Sequence, residues 1–468
     1  MASSKSIPME VTIEILSQLP VNSLSRFKCV CKYWKNLIES PDFFKLHLNR
    51  SLKINSYNCS LILTINRTVI INRTPNIISS LYRAYLDHNN INLNINKLVL
   101  PPSLQPSHPT PTEWHRYGVS SRGNVEYGRI EVAGSCNGLV LILNGLHHIA
   151  VCNPAIKQEH ATFKILPCIT YLGYGSFGYN PETYLQDYYW LNHENQPYQN
   201  YACRFYSFRV FGFGYDCYSH CYKIVYLTPK RVLVYSTMKD SSSWRKINLP
   251  DFEQGLNHSS RFLPLENQER VVYIQAYNHG VATNNHLHWH ITKYDPQIIE
   301  YSEEMIISFD LQKEEWGEVP MPDRLDQGYF LQGYKSKSYI LELGVLNGCL
   351  CLLISRGISH PHLELWIMKA YGVKESWTKL CYVPNGSGIP LVYLPERDEL
   401  LLPGDYHALG WYKLKGKRIR KLEFHGSGFT GEHFYSTNVN MCIESLVHPF
   451  TSIEEGRDET EEIYQEAE

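Results

Sequence analysis

Residues 306–320 read IISFDLQKEEWGEVP. A short apolar run, a polar turn at Gln312-Lys313-Glu314 and a second run from Trp316 to Val319-Pro320 describe two strands joined as a hairpin. The same order of features recurs elsewhere. Val232-Leu233-Val234-Tyr235 leads through Asp240-Ser241-Ser242 to Trp244, Ile247 and Pro250. Leu365-Trp366-Ile367-Met368 leads to Trp377, Leu380 and Pro384, and Ile149-Ala150-Val151 with Asn153-Pro154 leads to Phe163, Leu166 and Pro167. Upstream of most copies stands another strand behind a turn signal: Asn137-Gly138 before Leu139, Asn285 before His286, and Asn347-Gly348 before Cys349. A fifth, degenerate copy runs from Glu399-Leu400-Leu401-Leu402 through Trp411-Tyr412-Lys413-Leu414 to Arg420-Lys421-Leu422. Repetition of a sheet of about four strands predicts a β-propeller. A β-sandwich with similar hairpins is the alternative that local pattern leaves open. Trp244, Trp316 and Trp377 stand 72 and 61 residues apart. That is longer than regular blades of roughly 40 to 50 residues and calls for inserted loops.

The first 48 residues have another texture. Pro8 suits a first helical turn, and Glu10 complements the positive end of the helix dipole. Val11, Ile15, Leu16 and Leu19 recur at helical spacing until Pro20 ends the run. Asn22 reads as the N-cap of a second segment, in which Leu24, Phe27, Val30, Cys31, Trp34, Leu37 and Ile38 form one continuous stripe. Before Pro41 these residues carry more large apolar side chains than three short helices can bury against one another. The covering surface is either the downstream domain or a partner, and spacing alone does not choose.

The wording of the segment adds to its spacing. Ile7-Pro8, Glu14-Ile15-Leu16-Ser17, Leu19-Pro20-Val21, Ser23-Leu24, Arg26-Phe27-Lys28-Cys29-Val30-Cys31-Lys32, Trp34 and Leu37-Ile38 resemble the F-box in its plant form. The resemblance implies docking onto the Skp-family linker, and through it onto the cullin, of a ubiquitin ligase. Pro8, Ile15, Leu16, Leu19, Pro20, Val30 and Trp34 are then expected at that interface or supporting it, with Leu19, Pro20 and Trp34 as its anchors. Met9-Glu10 and Tyr33 depart from the usual acidic pair and serine without changing the apolar face.

Further blocks resemble the plant F-box-associated domain. They are Gly134-Ser135-Cys136-Asn137-Gly138-Leu139, Cys152-Asn153-Pro154-Ala155, Phe211-Gly212-Phe213-Gly214-Tyr215-Asp216, Tyr222-Lys223-Ile224-Val225, Val234-Tyr235-Ser236, Ile367 to Leu380, and a closing Glu444-Ser445-Leu446-Val447. That family is regarded as kelch-like propellers, although this chain has no Gly-Gly doublet and no Trp-Asp dipeptide. The expected fold is mainly β with an N-terminal α module: a three-helix F-box over 1–48, a connecting region over 49–130 that supplies a first atypical blade, a β-propeller over 131–450, and an acidic tail over 451–468.

The function this implies is that of a non-catalytic, substrate-recruiting subunit of a cullin-RING ligase. It would bind the linker through the F-box and a protein substrate through propeller loops. An S-locus F-box protein that recognises a ribonuclease in pollen is an alternative, resting on the Gly212-to-Asp216 block that ordinary plant F-box proteins share. A ligand- or sugar-binding propeller is the alternative from another class.

Composition bounds the rest. The chain has 468 residues, 43% of them hydrophobic and 13% aromatic, ample for a core. It shows no apolar run of about 18 residues and no signal-peptide pattern at its start, so the expected setting is cytoplasm or nucleus, without membrane contact. Thirteen cysteines without regular spacing read as reduced thiols. Formal net charge is −2 and no basic stripe interleaves with aromatics, which argues against nucleic acid as a partner. Residues 454–468 hold eight acidic residues and one arginine and read as a solvated segment.

A Tyr-rich insertion over 170–206 offers large contact area at low entropy cost, making Tyr184, Tyr188, Tyr189 and Tyr198 candidates for substrate contact. His286, His288 and His290 alternate along one strand face as metal ligands would, but no acidic or cysteine partner follows at a recognisable spacing. Packing residues are the reading adopted, with no metal and no cofactor. No Gly-x-Ser-x-Gly, phosphate loop or His-Glu-x-x-His is present, so no catalytic constellation is expected.

Overall fold

The structure is a computed structural model that describes residues 7–53, 59–71, 74–87, 91–104, 130–144, 148–156, 163–167, 210–228, 231–237, 243–247, 278–294, 302–323, 339–356, 362–384, 388–403, 409–425 and 436–449. Four helices open it: α1 (Met9–Leu16), α2 (Val21–Phe27), α3 (Lys32–Ile38) and α4 (Pro41–Lys53). Strands follow in six sheets.

The helices differ from the sequence reading in three places, the first being that a fourth helix, α4, follows the three expected and runs past residue 48 to Lys53. Asn22 is not an N-cap. That position belongs to Pro20, whose carbonyl accepts from the Ser23 and Leu24 N–H groups at 2.9 and 3.1 Å, while Asn22 lies exposed inside α2. Proline has no N–H to satisfy and its fixed φ leads the chain into the helix, so it serves without a side-chain cap. Nor is the apolar stripe continuous. The chain turns at Val30, and Cys31 caps α3 with its Sγ accepting from the Trp34 N–H at 3.4 Å.

Five sheets are four-stranded antiparallel meanders in chain order. Blade 1 comprises Ile130–Cys136, Leu139–Asn144, His148–Cys152 and Phe163–Ile165. Blade 2 comprises Val210–Asp216, Cys221–Thr228, Arg231–Ser236 and Arg245–Ile247; blade 3 comprises Val281–Thr283, His286–Tyr294, Ser302–Asp310 and Trp316–Val319. Blade 4 runs Tyr339–Leu346, Cys349–Arg356, His362–Met368 and Trp377–Pro384; blade 5 runs Val392–Leu394, Glu399–Pro403, Leu409–Lys413 and Arg418–Lys421. All five predicted copies are blades, the degenerate one included.

The sixth blade joins the two ends of the chain. Ser436–Ile443 pairs antiparallel with Cys59–Ile71, which is followed outward by Thr74–Tyr85 and Asn92–Lys97, with Glu423–His425 added in parallel at the rim. The closing strand is the innermost of its sheet and packs beside the first strand of blade 1.

Each pair of neighbouring blades encloses an apolar cluster. One such cluster sets Leu141 and Val151 of blade 1 against Phe211 and Tyr222 of blade 2, and another sets Leu61 and Leu63 of the closing blade against Leu401 and Trp411 of blade 5. Four further clusters fill the remaining gaps, so the ring is continuous. That arrangement is a six-bladed propeller, and it excludes the sandwich.

The repeated aromatic and proline of the sequence tie these gaps together. The indole N–H of Trp244 in blade 2 donates to the Pro167 carbonyl at the end of blade 1, at 3.0 Å. Trp377 of blade 4 does the same to Pro320 of blade 3, at 2.7 Å. The glycines of Phe211-Gly212-Phe213-Gly214 have a comparable reason: a Cβ on Gly212 would lie 2.5 Å from the Trp289 ring of the next blade. At the predicted hairpins, Asn137, Gly138, Asn347 and Gly348 all have positive φ, as tight turns of that type require.

Candidate docking face and propeller surfaces

The four helices present two rows of apolar side chains. The inner row, Leu16, Val21, Leu24, Ile38 and Phe43, is buried together with two propeller residues, Ala155 and Leu446. Leu48 of α4 reaches the cluster between blades 1 and 2. The outer row stays in solvent: Ile7 is 64% exposed, Ile15 51% and Val30 61%, with Met9, Val11 and Tyr33 also exposed. Both answers to the sequence question therefore hold, one for each side of the module.

The expected interface residues divide accordingly. Pro8, Ile15 and Val30 are exposed; Leu19, Pro20 and Trp34 are half-buried; Leu16, at 1% exposure, lies in the inner core. Trp34 rests on Phe27 with ring centroids 5.5 Å apart and keeps its other side accessible. His47 ties the end of the first turn down, its Nε2 lying 3.0 Å from the Leu19 carbonyl, and burial lowers its pKa. A ring nitrogen facing a carbonyl carries the proton, so Nε2 donates there.

The segment Glu444-Ser445-Leu446-Val447 holds module and ring together. Ser445 Oγ donates to the Asn137 carbonyl at 2.7 Å, and Asn153 Nδ2 donates to the carbonyls of Ser445 and Val447 at 3.0 and 2.7 Å. Gly138 must be glycine here, because its φ is +83° and a Cβ would fall 2.1 Å from Ser445 Oγ. Buried Glu444 accepts from Ser60 Oγ and Arg83 of the adjacent strands, which compensates its charge. Two residues beyond Glu444, Leu446 enters the helical core.

Blade topology assigns the module to one face. In an antiparallel meander, the first-to-second and third-to-fourth turns lie at one end of the strands, and the connections to the next blade lie at the other. Ala155 follows the third strand of blade 1 and Leu446 follows the innermost strand of the closing blade, so the helices cover the first of these faces. Residues 168–209, 248–277 and 324–338 connect strand ends on the opposite face. Tyr184, Tyr188, Tyr189 and Tyr198 fall within the first of these connections and outside the described residues.

The alternating histidines do not form a ligand set. His288 is fully buried, with Nε2 2.7 Å from Tyr371 Oη and Nδ1 3.3 Å from the Val281 carbonyl, and burial pushes its pKa down to about 4. His286 lies beside Asp310 at 3.6 Å, and His290 pairs with Glu304 at 2.6 Å. Among the described residues no group of three potential ligands could hold a metal ion. All eleven described cysteines are free thiols, and no described helix is long and apolar enough to cross a membrane.

A cavity of about 380 Å³ opens between blades 2 and 3, lined by Asp216, Tyr218, Lys223, Arg245, Gln312 and Glu314 among others. Its charges compensate one another: Lys223 Nζ lies 3.4 Å from Asp216 and 3.0 Å from Glu314, which Arg245 also contacts at 2.7 Å. These pairs staple two blades.

Comparison with known proteins agrees with this architecture. Residues 5–46 match the F-box domain, and residues 117–396, more than half of the chain, match the F-box associated beta propeller domain. An Arabidopsis thaliana protein named F-box protein CPR1 is 27% identical over 463 residues, covering 94% of this chain and 90% of that protein. An F-box/kelch-repeat protein of the same plant is 26% identical over 388 residues, covering 82% and 81% respectively. With its helical module, its six blades and these matches in register, the chain belongs to the F-box proteins that carry an F-box-associated β-propeller.

Proposed function

We propose that this protein is the substrate-recognition subunit of an SCF-type ubiquitin ligase, non-catalytic in itself. The observation that carries this reading is the exposed outer row of the F-box. Ile7, Met9, Val11, Ile15, Val30 and Tyr33 stay in solvent although the same helices bury their other side on the propeller. A Skp-family linker is the partner such a row fits, with Pro8, Ile15, Leu19, Pro20, Val30 and Trp34 in contact and Leu16 supporting them from beneath. Substrate is taken up on the opposite face of the ring, where the long inter-blade connections and their tyrosines belong. The propeller then holds a substrate lysine near the charged conjugating enzyme and works by raising effective concentration.

The test is capture of a purified Skp-family linker by the full chain and by an Ile15→Asp/Val30→Asp variant. Removing the whole F-box is a poorer test, since it also uncovers Leu446 and Ala155 and withdraws Leu48 from between two blades. Undiminished capture by a folded double variant would sink the assignment.

A further inference from the structure

The outermost strand of blade 5 and the turn before it form the hairpin KLKGKRIRK, residues 413–421. Lys413, Lys415, Lys417, Arg418, Arg420 and Lys421 are all exposed, six cations in nine residues. Among the described residues only Arg420 of these cations forms an ion pair, with Glu399 at 3.3 Å, while the Lys415 backbone N–H donates to the Asp398 carboxylate at 2.8 Å. Among the described residues Arg418–Lys421 has a strand neighbour on one side alone, and Ile419 is exposed on it. Charge on an edge strand discourages edge-to-edge pairing. That role alone accounts for one or two cations and leaves the density of six unexplained.

The same chain carries the complementary charge. Residues 454–468 contain eight acidic residues and one arginine. The last described residue before them, Pro449, follows the closing strand on the face that bears the F-box, and the turn at 413–418 lies on that same face. The F-box packs on blades 1 and 2 and on Leu446 after the closing strand, and among the described residues no helix side chain joins a cluster of blade 5. The outer strand of a blade is three strand spacings, about 15 Å, from the innermost. Nineteen residues from 450 to 468 reach at most about 63 Å when extended. Nineteen extended residues therefore exceed the radial width of a blade about fourfold.

We propose that the acidic segment 454–468 folds back onto the basic hairpin 413–421 of blade 5 in the same molecule. It covers a cationic sheet edge that would otherwise attract acidic protein segments. The contact is electrostatic, acts across a solvated surface, and weakens as salt shortens the screening length. It does not depend on the ligase reading.

Zero-length carbodiimide coupling of the full chain, followed by peptide mass spectrometry of the monomer, tests this. At low salt the carboxylates of 454–468 should couple to Lys413, Lys415, Lys417 or Lys421 at least fivefold more often than to equally exposed lysines elsewhere. The preference should vanish near 0.5 M salt, where the Debye length falls to roughly 4 Å. It should also vanish in the variant R418E/R420E, which keeps every reporter lysine and gives up only the surface pair with Glu399. Circular dichroism and melting of that variant should be unchanged. Coupling spread evenly over the lysines, coupling unaffected by the charge reversal, or products found only between isotopically distinct chains would each overturn the proposal.

Discussion

The two sides of the F-box are built from the same residue types and meet opposite surroundings. On the inner side Leu16, Leu24 and Ile38 vanish into a core shared with Ala155 and Leu446 of the propeller. On the outer side Ile15 and Val30, equally apolar and close to them in sequence, remain in water. A helix presents side chains three or four apart on one face, so neighbours such as Ile15 and Leu16 point to different surroundings. What distinguishes them is the propeller beneath. The inner side is a matter of folding, binding is the role proposed for the outer side, and substitutions should separate the two.

The largest effect is expected inside. Leu24→Ala removes a fully buried side chain from the shared core and should cost about 2 to 5 kcal/mol of stability, read from denaturant midpoints. Linker affinity per folded molecule should hardly change.

Acidification should act through folding, at two buried histidines, His47 of α4 and His288 of blade 3. His288 and His47 are kept neutral by burial, the former with a pKa of about 4. In the unfolded chain each regains an ordinary value near 6.5 and binds a proton more readily. Stability present above pH 6.5 is therefore lost as pH falls toward 4, by about 3 kcal/mol for His288 over that window. Denaturation at pH 7, 6 and 5 should show this slope, and His288→Leu should flatten most of it. A slope as steep in the variant as in the parent would remove His288 as its source.

Much of this organisation was legible in sequence because it is local. Asn137-Gly138 and Asn347-Gly348 specify their own hairpins, and in the first four repeats an aromatic and a proline bracket the outer strand. The closing of the ring was not legible in that way. Cys59 and Ile443 are partners from opposite ends of the chain, and nothing near either residue names the other. The stop at Pro20 was visible, but its second role as a cap was hidden by the expectation that a cap needs a polar side chain. For the docking face, spacing showed surplus apolar surface without its direction. The propeller residues beneath, Ala155 and Leu446, decide that Leu16 turns inward and Ile15 outward.

On the outer side the expected effect is one of affinity. Val30 stands in the turn between α2 and α3, where an aspartate breaks no helix and buries no charge in the free protein. Val30→Asp should alter stability by no more than about 0.5 kcal/mol. Linker binding should weaken about 30-fold, near the 2 kcal/mol that marks a binding hot spot. Titration of the linker by calorimetry separates these numbers, and a loss of stability as large as the loss of affinity would place Val30 with the inner row.

The smallest effect should come from the charges around the same face. Lys28 pairs with Glu39 at 3.2 Å, both side chains substantially exposed, joining the end of α2 to the end of α3. Such a pair gains little in water, because solvent screens the attraction and two long side chains lose freedom to hold it. Lys28→Ala should shift stability by about 0.5 kcal/mol or less, and linker affinity less than about twofold at physiological salt. If it instead costs as much affinity as Val30→Asp, the outer side recognises its partner by charge, and the apolar row is only its support.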